Sequence, residues 1–368
     1  MKNIWHYKDL LPEIQEDYRL SIGEGQTPLV RSHFIGPSLG LKNLYFKLEN
    51  LNPTGSYKDR FAATFISSLL QKKVSSLLST SSGNNGAALA AYSAAAGIDC
   101  YLVIVDGAPL PKIQQMQLYG GKLIMVDQFG IDSTVTKDVF SLLAQVAKEK
   151  NISLPISAYC YCPGGMQGVQ TISYEILDEL QGNVQHIFSP SGGGGLTLAI
   201  AKGILDYTKY PSGCKVHCVQ PLGNNAIAGP LRNGKERSAE ITHSSTLISG
   251  LQVPSILDGN ETLLHCRKTG GTGYLVDDEL IFKTQKALAQ KEGIFCEPAG
   301  AVSVSALSDA VRRKELDANE TIVCLITGSG FKDMSAVAHQ FNLPTMEKKI
   351  NITDLSKFLE TIKKDEAF

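Results

Sequence analysis

Val184-Gln-His-Ile-Phe-Ser-Pro190 has the composition of a strand, and Leu196-Thr-Leu-Ala-Ile-Ala that of an apolar helix. Between them lie Ser191 and four consecutive glycines, Gly192, Gly193, Gly194 and Gly195. Without Cβ atoms the backbone can approach a ligand closely, and the free amides and dipole at a helix start favour an anion. A phosphate is the natural occupant. A mononucleotide P-loop would follow its last glycine with a lysine and a hydroxyl residue, and here Leu196 and Thr197 follow. A dinucleotide fingerprint would place an acidic residue about 20 residues on, at the next strand end, and that end reads Cys218-Val-Gln-Pro221. The first reading fails and the second is weak, and a flexible glycine turn without a ligand is the remaining alternative.

Upstream, Asn52-Pro-Thr-Gly-Ser-Tyr-Lys58-Asp-Arg60 puts a lysine at the opening of a helix, after a strand and a turn. Alone, such a lysine reads as a solvated charge. An amine that condenses with an aldehyde must be partly neutral at its working pH, and a desolvated, cationic or helix-start position favours this. Lys58 sits at such a start, next to Arg60. A third stretch, Ser79-Thr-Ser-Ser82-Gly83-Asn84-Asn85-Gly86, again runs from a strand end into a helix of small residues. Its hydroxyl, amide and backbone donors suit a carboxylate and a phenolate-type oxygen. Taken alone it is equally a capped helix start.

The elements that must position these groups alternate strand with helix. Strands are expected at 44–48, 76–80, 100–105, 122–126, 184–189, 215–219 and 321–327. Helices are expected at 61–71, 87–96, 132–150, 167–180, 196–207, 278–292 and 302–314. This is the pattern of an α/β protein with parallel sheets, whose ligands sit beyond the carboxyl ends of the strands. Stretches 230–246 and 249–268 lack clear periodicity and read as surface excursions.

At 368 residues the chain exceeds the size of one ordinary core, so two domains, or one domain with a large inserted subdomain, are expected. A net charge of −1, without charge blocks, gives no field to gather nucleic acid or a membrane surface, so the expected partner is a small molecule. The eight cysteines show no paired CxxC spacing and fit a reducing, cytoplasmic location. Neither a signal peptide nor an apolar run of membrane-spanning length is evident. Cys214, Val216 and Cys218 share one strand face while His217 points away, which argues against a metal site. No metal ligands are assigned.

Taken in order, the motifs resemble the threonine synthase branch of the pyridoxal-phosphate enzymes of fold type II, the tryptophan synthase β family. The likeness begins at Gly23-Glu-Gly-Gln-Thr-Pro-Leu29 and continues through Lys47-Leu-Glu49, Asn52 to Arg60 and Ser81-Ser-Gly-Asn-Asn85. It closes with Gly168 to Glu175, Glu297-Pro-Ala299 and Leu325-Ile-Thr-Gly-Ser-Gly-Phe-Lys-Asp333. The resemblance implies two open, mainly parallel twisted sheets with flanking helices and an active site in the cleft between domains. It implies a smaller domain at 51–164, a larger one from 1–50 plus 165–368, and a homodimer. It also implies pyridoxal 5′-phosphate held as a Schiff base on Lys58, which moves protons at the substrate carbon. Asn84 would bond the ring hydroxyl, Gly192 to Gly195 would cradle the phosphate, and Thr327 would face the ring nitrogen. A neutral hydroxyl there does not hold the nitrogen protonated, which favours elimination over transamination. Ser82 and Asn85 would seat the substrate carboxylate.

The implied reaction is O-phospho-L-homoserine plus water to L-threonine and phosphate. Threonine synthases usually carry an asparagine, and often an arginine, where this chain reads Cys160-Tyr-Cys-Pro-Gly-Gly-Met-Gln-Gly168, a stretch with no charge. A dianionic phosphate bound without a cation lacks its strongest hydrogen bonds; Lys112 and Arg60 are other candidate cations. The tetraglycine turn is similar to that of serine/threonine dehydratases. An L-serine/L-threonine ammonia-lyase is thus the second reading, and a β-replacement synthase the third.

Overall fold

The computed structural model describes residues 3–341 except 82, 151–153, 211–212, 242 and 254–255, together with 351, 352 and 354. Met1–Met334 makes up one compact unit and Ser335–Phe368 a second; the architecture described here is that of the first.

Among the described residues nine strands form two sheets: β1 Leu29–Arg31, β2 Asn43–Lys47, β3 Ser76–Ser81, β4 Asp99–Ile104, β5 Lys122–Met125, β6 His186–Pro190, β7 Lys215–Pro221, β8 Gly273–Val276 and β9 Thr321–Leu325. The larger sheet has the order β1-β2-β9-β6-β7-β8, and the smaller β3-β4-β5. Every pairing is parallel except β1 with β2. The expected α/β class with two mainly parallel sheets is what the chain adopts. Two expectations need correction. Helix 302–314 is two helices, Pro298–Ser305 and Leu307–Arg312. Residues 259–268, read as a surface excursion, form a helix with Thr262, Leu263 and Cys266 buried.

The last strand in sequence lies between β2 and β6, with Phe46 and Phe188 both in register with Cys324. Strands from distant parts of the chain thus become parallel neighbours, and the segments leaving their carboxyl ends emerge side by side. From β2 the chain runs on to Lys58, from β9 to Thr327 and from β6 into the glycine turn. That topology, more than any local motif, is what gathers them.

The helix Lys58–Gln71 is held against the helix Pro163–Glu179 at close quarters. A Cβ on Gly168 would lie 2.3 Å from the Arg60 carbonyl oxygen, and one on Gly165 2.6 Å from the Phe61 ring. Phe61, Ala62 and Ile66 are fully buried in this contact region. Emptying one such aromatic site costs about 3–5 kcal/mol, so the helix that begins at Lys58 is anchored within one turn of its first residue. Among the described residues no helix is long and apolar enough to cross a membrane.

Candidate active site

Lys58 is the first residue of its helix, and several bonds fix where it starts. Gly55 turns the chain with a φ of 84°. Ser56 then forms an antiparallel bridge to Gly328, and the Tyr57 N–H donates to the Thr327 carbonyl at 3.2 Å. The Thr54 N–H donates to the Asp59 carboxylate at 2.6 Å, and its hydroxyl donates to the same group. Lys58 and Thr327 are thereby brought together through Tyr57. The Lys58 Nζ hydrogen-bonds the Ser157 hydroxyl and stands 4.8 Å from the centroid of the Tyr57 ring.

Arg60 does not supply the free cation that its position next to Lys58 suggests. Its guanidinium is fully buried and paired with Glu49 at 2.7 Å and Glu175 at 2.5 Å. Lys47 joins the same cluster, 2.9 Å from Glu175. These cations hold the Glu175 carboxyl down to about 2, against the opposing effect of burial.

The glycine turn follows β6, and Gly194 caps the helix Gly195–Asp206 with a φ of 103°. A Cβ there would be 2.4 Å from the Thr262 Oγ1 and 3.2 Å from the Asp258 carbonyl oxygen. At Gly195 the Asp258 carboxylate and the Ser157 carbonyl would each be 3.2 Å from a Cβ. Ser157 therefore bridges the turn and Lys58: its backbone borders Gly195 and its hydroxyl meets the amine. The Asp258 N–H donates to the Gly193 carbonyl at 3.1 Å. Its carboxylate accepts the N–H groups of Tyr159 at 2.8 Å and Cys160 at 3.2 Å. Burial raises the Asp258 carboxyl above its ordinary range while those two bonds oppose the rise.

At the end of β3, the Ser81 hydroxyl accepts the N–H groups of Gly83 at 2.9 Å and Gly86 at 2.7 Å, which shapes the turn carrying Asn84 and Asn85. The Asn84 Nδ2 donates to Glu297 at 2.7 Å, and the other Glu297 oxygen meets the Lys112 Nζ at 3.1 Å. Glu297 also lies against Gly328, where a Cβ would come within 2.2 Å of its Oε1, and the Glu297 N–H donates to the Gly328 carbonyl at 2.9 Å. Asn84 is so connected to the segment that carries Thr327, itself 4 % exposed. The Oδ1 atoms of Asn84 and Asn85 and the Ser56 hydroxyl are buried without a partner among the described residues. Ser82 lies outside the described residues.

A glycine cradle at a helix start, an amine one hydroxyl away from it, and buried amide oxygens awaiting a partner suit a phosphorylated ring bearing an aldehyde and a hydroxyl. The residues fit the cofactor. Reading the sequence passed over Ser157 and Asp258 and treated Glu297 only as part of a motif. Asp258-Gly-Asn-Glu261 does carry a helix-start signature, but the Asp258 side chain makes no cap bond and turns instead to the Ser157–Cys160 segment.

A family model described as "Pyridoxal-phosphate dependent enzyme" matches residues 20–328. The threonine synthase of Methanocaldococcus jannaschii is 34% identical over 341 residues, 90% of this chain and 81% of that protein. That of Methanosarcina acetivorans is 32% identical and covers 94% of this chain and 84% of its own. Among solved structures, the processed form of threonine deaminase isoform 2 from Solanum lycopersicum has a TM-score of 0.72 at 21% identity, covering 86% of this chain and 84% of that one. Maize serine racemase has a TM-score of 0.72 at 24% identity, covering 91% and 93%. These two likenesses describe the fold.

Proposed function

Because the chain belongs to the family of pyridoxal-phosphate dependent enzymes, we propose that it is a lyase of threonine synthase-like type that converts O-phospho-L-homoserine and water to L-threonine and phosphate. The observation that carries this reading is the position of the Lys58 amine, one hydroxyl from the segment bordering the glycine turn. When bound, the cofactor supplies an aldehyde that condenses with amines and a ring that withdraws electrons from the carbon then attached.

The chain's own residues do the rest. Lys58 holds the cofactor between turnovers and moves the proton at the substrate carbon. The amides of Gly192 to Gly195 receive the cofactor phosphate at the start of the helix. Asn84 faces the ring hydroxyl, with Glu297 setting the direction of its amide. Thr327 offers the ring nitrogen a neutral hydroxyl, which leaves that nitrogen unprotonated. Ser82 and Asn85 seat the substrate carboxylate. Residues 51–164 form the smaller domain, 1–50 with 165–368 the larger, and two copies make a homodimer.

A second reading, an L-serine/L-threonine ammonia-lyase, is favoured by one observation. The uncharged stretch 160–168 supplies no cation, Arg60 is enclosed by Glu49 and Glu175, and Lys112 is paired with Glu297. The two readings separate when O-phospho-L-homoserine, L-serine and L-threonine are assayed in parallel. Phosphate and threonine from the first compound support the synthase. A 2-oxo acid from serine or threonine, with no phosphate released from the other compound, replaces it with the ammonia-lyase. In either case the protein incubated with cofactor is yellow, and borohydride reduction followed by peptide mapping finds the cofactor fixed to Lys58.

A further inference from the structure

We propose that Ser157 is a positioning residue for the Lys58 amine, an inference that rests on the role proposed above for Lys58. An amine on four methylenes has wide rotational freedom, and nothing in the helix that begins at Lys58 fixes where its nitrogen points. Two contacts do so here. The Ser157 hydroxyl is hydrogen-bonded to Nζ, and the face of the Tyr57 ring lies 4.8 Å from it. A hydroxyl both accepts and donates, so Ser157 can hold the nitrogen whether it carries its third proton or presents its lone pair. Neither a backbone carbonyl nor a carboxylate can do both.

Such a hydroxyl is useful only if it is itself held in place. The Ser79 hydroxyl donates to the Pro155 carbonyl, tying the approach to Ser157 to β3. Beyond Ser157, the N–H groups of Tyr159 and Cys160 end on the Asp258 carboxylate, while the Asp258 N–H reaches the Gly193 carbonyl. The hydroxyl is therefore referenced to the phosphate cradle through one carboxylate. Asp258 sets the distance between the turn and the serine, and its carboxylate also interacts electrostatically with the Lys58 amine. A misplacement of about 1 Å at a reacting atom can cost about 10²-fold in rate, so a loosened Ser157 has a measurable effect without any loss of fold.

The test is the capture of pyridoxal phosphate by the full-length apoprotein, followed as growth of the visible band, with turnover of O-phospho-L-homoserine, L-serine and L-threonine measured beside it. Ser157→Ala is expected to slow capture by about 10-fold to 10²-fold. It should lower kcat by a similar factor on whichever compound is turned over, with KM and the thermal midpoint close to those of the parent. Ser157→Thr, which keeps the hydroxyl, is expected to recover most of both rates, and Asp258→Asn to lie between alanine and parent. Parent-like capture and kcat in Ser157→Ala overturns the proposal. So does a loss that comes with a lowered thermal midpoint and is not recovered by threonine. Borohydride reduction of the parent separates the two levels: if the cofactor is fixed to a residue other than Lys58, the Lys58 reading fails and takes this proposal with it. If it is fixed to Lys58 while Ser157→Ala behaves as the parent, only Ser157 is mistaken.

Discussion

Asn84 and Glu297, far apart in the chain, are joined by a 2.7 Å hydrogen bond in which the amide donates and the carboxylate accepts. The same carboxylate is neutralised by Lys112, so an amide, an acid and a buried amine form one unit. Glu297→Ala is expected to release the Asn84 amide and leave Lys112 buried without its counter-charge. A hydrogen bond to a charged group contributes about 1.5–3 kcal/mol, so the dissociation constant for pyridoxal phosphate should rise about 10-fold or more. Titration of the visible band measures it, and an unchanged constant would remove Glu297 from the site.

Arg60→Met tests the charge cluster beneath Lys58. Glu49 and Glu175 would stay buried without their guanidinium, and breaking such a pair costs about 3–5 kcal/mol. Urea unfolding should report a loss of that size. Arg60→Lys should recover only part of it, because the guanidinium engages both carboxylates at once through its fork of donors.

At Gly194 an alanine meets two obstacles, the positive φ and the Thr262 hydroxyl 2.4 Å from the new carbon. Residues held in sparsely populated backbone regions cost about 1–3 kcal/mol. The strain falls on the cradle, so Gly194→Ala should weaken cofactor phosphate binding more than it lowers global stability. Comparing capture of pyridoxal phosphate with that of pyridoxal isolates the phosphate's share; equal losses for both would contradict the assignment.

The pH dependence of stability has an identifiable source away from the site. His217 accepts the Thr272 N–H on Nδ1 at 3.1 Å, and its Nε2 is 2.8 Å from His186 Nδ1. Burial first, then the neighbouring His186 and Lys215, push His217 down to about 3; Glu315 opposes the shift and Arg232 adds to it. Unfolded, the ring binds a proton near pH 6.5, so below that value the unfolded state takes up more protons and stability falls as the pH drops. Asp59 acts the other way: burial raises its carboxyl to about 7, and its contribution grows as the pH falls from there towards its unfolded value. The parent curve mixes both. The stability difference between parent and His217→Asn isolates the ring and should shrink by about 2 kcal/mol between pH 6.5 and 5. A constant difference over that range would show that the ring titrates normally.

Much of the frame was legible because parallel strands are apolar throughout and their crossover helices are periodic. The apolar run 100–105, for example, differs from the observed β4 by one residue at each end. Short β1 and β8, of three and four residues, passed unnoticed because so few residues establish no period. The break at Ala306 was invisible for another reason: alanine is the best of helix formers, and it keeps right-handed helical dihedrals, φ −74° and ψ −18°, through the break. At the site, glycine runs and motif residues announced Lys58, Asn84, Gly192 to Gly195 and Thr327 as candidates. Ser157 carried no such signal, and Asp258 only that of a helix start. Their place at the site comes from where the chain returns to after a hundred residues, and no window on the sequence spans that return.

The Arg60–Glu175 pair has a consequence for the order in which the molecule can be made. The two residues are 115 positions apart, so for a long interval of synthesis the arginine exists without its principal partner and must remain hydrated. The helix beginning at Lys58 cannot sink into place until the ribosome has delivered the segment through Glu175. A nascent chain stalled before that point would keep this helix and its arginine exposed to water.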